Sequence, residues 1–188
     1  MEHYYYYIDG WFNFQEPYSY AAKIFPDNSV FVEIGCWKGK STTYLGVELI
    51  NSNKNNTKLF CIDTWGENDD GEYDNELSLQ NKTLYDEFLR NIKPLQDNKL
   101  EIISIKDRSD NAYKTFDDNS IDFLYIDGSH LYENVKKDIE LYFPKMKPNS
   151  IMAGHDWQSE DVVRAVEEFF GKNKVTLNLN TWMMPIKK

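Results

Sequence analysis

Two short turns concentrate the titratable chemistry of this chain. Asp127-Gly128-Ser129-His130 and Gly154-His155-Asp156-Trp157 carry two of its three histidines, each close to a carboxylate. An imidazole changes charge near neutral pH, so His130 or His155 could take a proton from a reacting hydroxyl. Asp127 and Asp156 are hard oxygen donors, suited to a divalent ion or a cationic ligand. A third stretch, Glu33-Ile34-Gly35-Cys36-Trp37-Lys38-Gly39-Lys40-Ser41-Thr42, ends like a phosphate-binding loop. The P-loop pattern G-x-x-x-x-G-K-[ST] needs one residue more than stands between Gly35 and Gly39. Its full spacing lets successive backbone N–H groups wrap phosphate. Here Glu33 lies beside the loop and Asp63 follows on the next apolar run, and both would repel a polyanion. A P-loop phosphotransferase is therefore a rival reading, and the absence of G-x-G-x-x-G argues against a dinucleotide.

A nucleoside without phosphates and with a positive centre meets these residues better. A glycine-rich turn allows close backbone approach. An acid at the end of a second strand accepts hydrogen bonds from a ribose diol. Acids at the ends of the first and fourth strands can hold an ammonium group and sit near a sulfonium. Those needs describe S-adenosylmethionine.

The elements that must position these residues alternate in type. Ser29–Gly35, Lys58–Trp65, Leu100–Ile105, Ser120–Asp127 and Ser150–Gly154 are short apolar runs of the buried-strand kind. Between them, helical spacing places Thr42, Leu45 and Leu49 on one face. It does the same for Leu77, Leu84, Phe88 and Ile92, for Leu131, Val135, Ile139 and Tyr142, and for Val162, Ala165, Val166 and Phe169. Pro94 and Pro144 should end the second and third of these helices, and Gly171 the last. Ser109 reads as the N-cap of a short helix reaching Phe116. The tail from Lys174 to Ile186 reads as a strand pair turning near Leu179-Asn180. This alternation predicts a parallel sheet covered on both faces, with every strand's C-terminal end on one rim. Glu33, Asp63, Asp127 and His155-Asp156 fall on that rim, where such sheets bind ligands.

Bulk properties narrow the partners. The net charge is -10 with 41% hydrophobic residues, which fits a globular domain and disfavours a phosphate backbone as partner. No apolar run is long enough for a bilayer, and the start lacks a signal-peptide pattern, so the expectation is a cytoplasmic protein with no membrane or nucleic-acid partner. Cys36 and Cys61 read as buried, reduced thiols. Residues 1–28 form an aromatic-rich arm or helix belonging to the same domain as 29–188. The arm could cover a sheet edge, join a dimer or close over an acceptor. The polar stretch Gly66–Glu76 is expected to be solvated, beside the rim.

The stretches "VEIGCWKGKSTTYL", "FCIDTWG", "IDFLYIDGSHLYENVKKDIELYFPKMKPNSIMAGHDW" and "VVRAVEEFF…TWMM" together resemble class I S-adenosylmethionine-dependent methyltransferases. The resemblance is narrowest to a small group with a D-G-x-H turn after strand four and a G-H-D-[YW] turn after strand five, related to macrocin-type O-methyltransferases. It runs from about Asp9 to Met184. It implies a Rossmann-like α/β fold whose seven strands include an antiparallel last one. It also implies a cofactor site formed by Glu33, Gly35, Cys36, Trp37, Gly39, Ser41, Asp63, Thr64, Trp65, Arg108, Ser109 and Asp127. His130, His155 and Asp156 are the implied catalytic set, with either histidine as base. Relatives of the macrocin type hold magnesium at these turns, which would make Asp127 and Asp156 metal ligands. The implied acceptor is a small-molecule hydroxyl such as a sugar, and a homodimer could complete the pocket. Asp107 departs from the pattern, standing where a glycine is expected. A non-catalytic cofactor-binding sensor is the alternative from a different class.

Overall fold

A computed structural model describes residues 1–66 and 76–187. The strands are β1 Val30–Ile34, β2 Lys58–Asp63, β3 Glu101–Lys106, β4 Ile121–Ile126, β5 Met146–Gly154, β6 Thr176–Asn178 and β7 Thr181–Ile186. They form one sheet in the order β3-β2-β1-β4-β5-β7-β6. The first five pair in parallel, and β7 runs antiparallel to both β5 and β6. This is the Rossmann-like arrangement expected from the alternating pattern. The order reverses at β1, with β2 on one side and β4 on the other.

Helices α1 Gln15–Ile24, α2 Lys40–Asn51, α3 Leu77–Gln80 and α4 Leu84–Asp97 precede β3. Helices α5 Ser109–Ala112, α6 Tyr132–Tyr142 and α7 Glu160–Phe170 follow it. Every residue of β4 is buried, which explains why its sequence shows no polar alternation. One core joins Phe31, Leu45, Phe88 and Tyr125 to α1, α2 and α4. A second joins Val32, Leu124, Ile139 and Val166 to α6 and α7. Residues 31 and 32 thus face opposite layers, as strand geometry requires. Among the described residues no helix is long and apolar enough to cross a membrane.

Four local expectations need correction. Pro94 does not end α4, which continues to Asp97. Proline removes one hydrogen bond there, but the next residue, Leu95, is completely buried against Gly46 and holds the last turn down. Leu77 stands apart in the separate short α3 and is exposed, and Leu131 is exposed just before α6. β5 begins at Met146 rather than Ser150, with an irregular register around Pro148, which has no N–H for the ladder, and Asn149 in the left-handed region at φ 64°. Ser109 is the first residue of α5, and Arg108 stands at the N-cap position instead, without a side-chain capping bond. The expectation for the loop 66–76 falls almost wholly outside the described residues.

Leu95→Ala should lower the unfolding free energy by about 2–5 kcal/mol, measured by urea denaturation. A loss under about 1 kcal/mol would show that the last turn of α4 is not anchored by this side chain.

Candidate active site

Strand register decides which acids reach the rim. Ile34 pairs with Ile62 and Ile126, and Ile126 pairs with Gly154. One step further, at the rim, stand Gly35, Asp63, Asp127 and His155, with Asp63 the last residue of β2. Backbone bonds secure these exits: Gly35 N to Ile62 O at 2.9 Å, Asp127 N to Ile34 O at 2.8 Å and His155 N to Ile126 O at 3.1 Å. Gly35 has φ 86°, and a Cβ there would lie 1.9 Å from the Asp127 carbonyl oxygen. Only glycine lets β1 and β4 exit so close together.

Above this rim lies a cavity of about 710 Å³. It is lined by Gly35, Cys36, Trp37, Ser41, Asp63, Thr64, Arg108, Ser109, Asp127, His130, His155 and Asp156, all named from the sequence. Three residues of that set do not line it. Glu33 pairs with Cys61 and Tyr125, two steps below the rim. Its buried carboxylate accepts from the Tyr18 hydroxyl at 2.8 Å and from Thr42. Burial raises its pKa, opposed by those hydroxyl donors and Ser41. Gly39, with φ 86°, turns toward Phe88 and opens α2. Trp65 packs its ring on Tyr85 and Phe88 and donates from Nε1 to the Trp37 carbonyl at 2.8 Å.

Asp63 shapes the loop. Its Oδ2 accepts the backbone N–H of Cys36 at 2.9 Å and of Trp37 at 2.8 Å, and Oδ1 that of Trp65 at 2.7 Å. Trp37 and Trp65 both have positive φ, 49° and 42°. Side chains rarely adopt that conformation, and these bonds hold it. Burial pushes the Asp63 carboxyl up, against those backbone donors.

The two histidine turns converge. His130 Nε2 lies 2.8 Å from Asp156 Oδ2. His155 Nδ1 lies 3.2 Å from Asp156 Oδ1 and 3.6 Å from Asp127 Oδ1, while its Nε2 lies 2.9 Å from the Asn13 carbonyl oxygen. Burial works against a charge on His155, but Asp156 and Asp127 outweigh it and raise its pKa. Asp156 is held well below the usual carboxylate range: burial opposes this, and the two imidazoles prevail. Burial lifts Asp127 to about 8, although both histidines pull it down. Asp156 itself has φ 59°. Asp127, His130 and Asp156 could also close on one metal ion, their donor atoms lying within 4.8 Å of one another.

Sequence reading missed Asn13, Phe14, Asn134, Asp138, Gln158 and Asn180, which also line the cavity. Phe14 stacks on Tyr125 at 4.6 Å and touches the His155 ring at 4.9 Å. Asp138 carried a legible signal. It falls between Val135, Ile139 and Tyr142 on the buried stripe of α6, where an unpaired acid is costly. The Ser109 hydroxyl answers it, and burial raises its pKa from 3.8 to about 7. Asp107 lines the cavity and accepts the Arg108 N–H at 2.8 Å.

The fold and this rim define a Rossmann-like methyltransferase architecture. The chain belongs to a family described as a methyltransferase domain, which matches residues 32–157. A curated relative, the uncharacterized protein y4gI of Sinorhizobium fredii (strain NBRC 101917 / NGR234), is 31% identical over 101 residues, or 53% of this chain; the chain spans about a tenth of that protein's length, the match covering 10%. Among solved structures, the O-methyltransferase NovP superposes with a TM-score of 0.69 at 16% identity, over 93% of this chain and 79% of NovP. CalS11, a TDP-rhamnose 3'-O-methyltransferase, gives 0.62 at 13% identity over 93% and 77%. The Streptococcus mutans protein SMU.1697c, solved in complex with SAH, gives 0.60 at 11% identity over 93% and 97%. Chains named as rRNA methylases also match. At these identities the likeness establishes the fold.

Asp138 yields a pH prediction. Its folded pKa lies above its unfolded one, so its contribution to stability is full below about 4 and is lost as pH rises through about 7. The melting temperature of Asp138→Asn relative to the unmodified chain should therefore rise from about pH 4 to about pH 8. A difference independent of pH would contradict a buried, protonated Asp138.

Proposed function

We propose that this chain transfers the methyl group of S-adenosylmethionine to a hydroxyl oxygen of a small molecule, a sugar in particular. The observation that carries the reading is the pairing of His130 with Asp156 in the cavity above the sheet's rim. The cavity fits the cofactor in its chemistry: carboxylates and backbone turns for a cationic nucleoside, and no phosphate-wrapping loop. Gly35, Cys36 and Trp37 would flank its methionine part, Asp63 and Thr64 its ribose, and Arg108 and Ser109 its adenine. Bound S-adenosylmethionine supplies a methyl group activated by positive sulfur.

The protein must then place the acceptor oxygen and remove its proton. Either histidine could serve as base, and we assign the role to His130, the ring paired with Asp156. His155 has both ring nitrogens engaged, Nε2 by Asn13 and Nδ1 by the two aspartates. His130 Nε2 lies 2.8 Å from Asp156 Oδ2, a pairing that orients the ring toward the acceptor. His155 then acts as a positive spacer that keeps Asp127 and Asp156 together. The donor set Asp127, His130 and Asp156 does not fit magnesium, which prefers an all-oxygen shell. Proton removal is accordingly assigned to His130, without the metal.

His130→Ala should cut transfer of labelled methyl to saccharide hydroxyls by about 10²–10⁴-fold and leave calorimetric affinity for S-adenosylmethionine unchanged. His155→Ala should weaken transfer less. Undiminished transfer in His130→Ala would reject it as base. Cofactor binding with no transfer to any acceptor would favour the sensor reading.

A further inference from the structure

The two histidine turns hold more donors than proton transfer needs. Asp127, His130 and Asp156 each offer one atom to a cluster whose members lie within 4.8 Å of one another. All three are half-buried and line the cavity, so an ion can reach them from solvent. The backbone fixes the turns that carry them. The Asp127 N–H donates to the Ile34 carbonyl at 2.8 Å, and the Ser159 N–H donates to the Asp156 carbonyl at 2.8 Å. The donors are thus in place before any ion arrives.

The two oxygens of Asp156 are differently employed. Oδ1 lies 3.2 Å from His155 Nδ1 and accepts from the Gln158 amide at 2.9 Å. Oδ2 faces His130 Nε2 at 2.8 Å. His155 also stands 3.6 Å from Asp127 Oδ1, and Asn13 holds its Nε2 at 2.9 Å. Outer partners of this kind orient ligating carboxylates and strengthen metal binding. One imidazole and two carboxylates, braced from behind, make a site with three protein ligands and an open position.

Donor chemistry selects the ion. Magnesium demands a near-octahedral oxygen shell, and imidazole suits it poorly. The resemblance implied magnesium at Asp127 and Asp156, and the histidines beside them oppose it. A mixed nitrogen and oxygen set favours borderline ions such as cobalt and zinc. Donors around tetrahedral zinc stand about 3.3 Å apart, given bonds of about 2.0–2.1 Å. The 2.8 Å contact between His130 and Asp156 therefore needs to open by only about 0.5 Å. An imidazole bound in this way has given its lone pair to the ion.

We propose that Asp127, His130 and Asp156 form an inhibitory site for a divalent cation of the zinc class, which takes the His130 imidazole out of proton transfer. The site stands on the donor geometry, and its inhibitory effect rests on the transferase reading above.

The test is calorimetry of the full chain with zinc, cobalt and magnesium chlorides, beside transfer of labelled methyl from S-adenosylmethionine. Zinc should bind at one site per chain, at least about a hundredfold tighter than magnesium. His130→Ala and Asp156→Asn should each weaken zinc by at least about tenfold. Cobalt should show the visible absorption of a nitrogen and oxygen shell. A sulfur-to-cobalt charge-transfer band would place the ion at the buried Glu33, Cys36 and Cys61 group and overturn the assignment. Zinc should suppress methyl transfer at the concentrations at which it binds, and a chelator should restore it. Magnesium at those concentrations should leave the rate unchanged. Magnesium affinity within about tenfold of zinc, zinc affinity unchanged in both variants, or transfer that continues with zinc bound overturns the proposal. Failure to bind S-adenosylmethionine removes the transferase reading and the inhibition with it, while the zinc calorimetry still decides the site.

Discussion

The Asp63 carboxylate gathers three backbone N–H groups from two different loops, and the rest of the site depends on that convergence. A phosphate-binding loop turns its N–H groups outward to an anion in the ligand. Here the N–H groups of Cys36 and Trp37 point inward to an anion in the protein. The loop after β1 therefore cannot cradle a triphosphate, whatever its Gly-Lys-Ser ending suggests. The same bonds hold Trp37 and Trp65 in left-handed conformations and bring the Trp65 indole N–H onto the Trp37 carbonyl. What faces the cavity is then a turn of backbone and carboxylate, suited to a cationic nucleoside.

A second buried acid shows how position along a strand decides role. Glu33 and Asp63 both read from the sequence as ligands at strand ends. Asp63 lies one step past Ile62, which pairs with Ile34, and so reaches the rim. Glu33 lies one step before Ile34 and points into the layer between the sheet and α1 and α2. Tyr18 and Thr42 bind it there, tying both helices to β1. Removing either hydroxyl would leave a buried carboxylate short of a partner, which costs more than one hydrogen bond supplies. The two histidine turns at the other side of the rim use the opposite arrangement. Asp127 and Asp156 are close enough to repel, and the imidazole of His155 lies between them.

Much of this was legible. Continuous apolar runs marked the five parallel strands, and the acids and histidines that follow them marked the rim. The register that separates Glu33 from Asp63 was not legible, because it depends on pairing between strands distant in sequence. The route of the N-terminal arm was hidden for the same reason. Nothing local places Asn13 against His155 or Phe14 on Tyr125. Pro94 misled because its local rule was overridden by burial of Leu95, a tertiary effect. Asp138 was readable as an acid on an apolar helical stripe, but its partner Ser109 lies on the far side of β4 in sequence.

Calorimetry with S-adenosylmethionine, S-adenosylhomocysteine and ATP tests the central claim most directly. A rim whose N–H groups are spent on its own carboxylate should bind the first two at one site per chain and give no heat with ATP, with or without magnesium. Tight ATP binding together with silence for both nucleosides would contradict it.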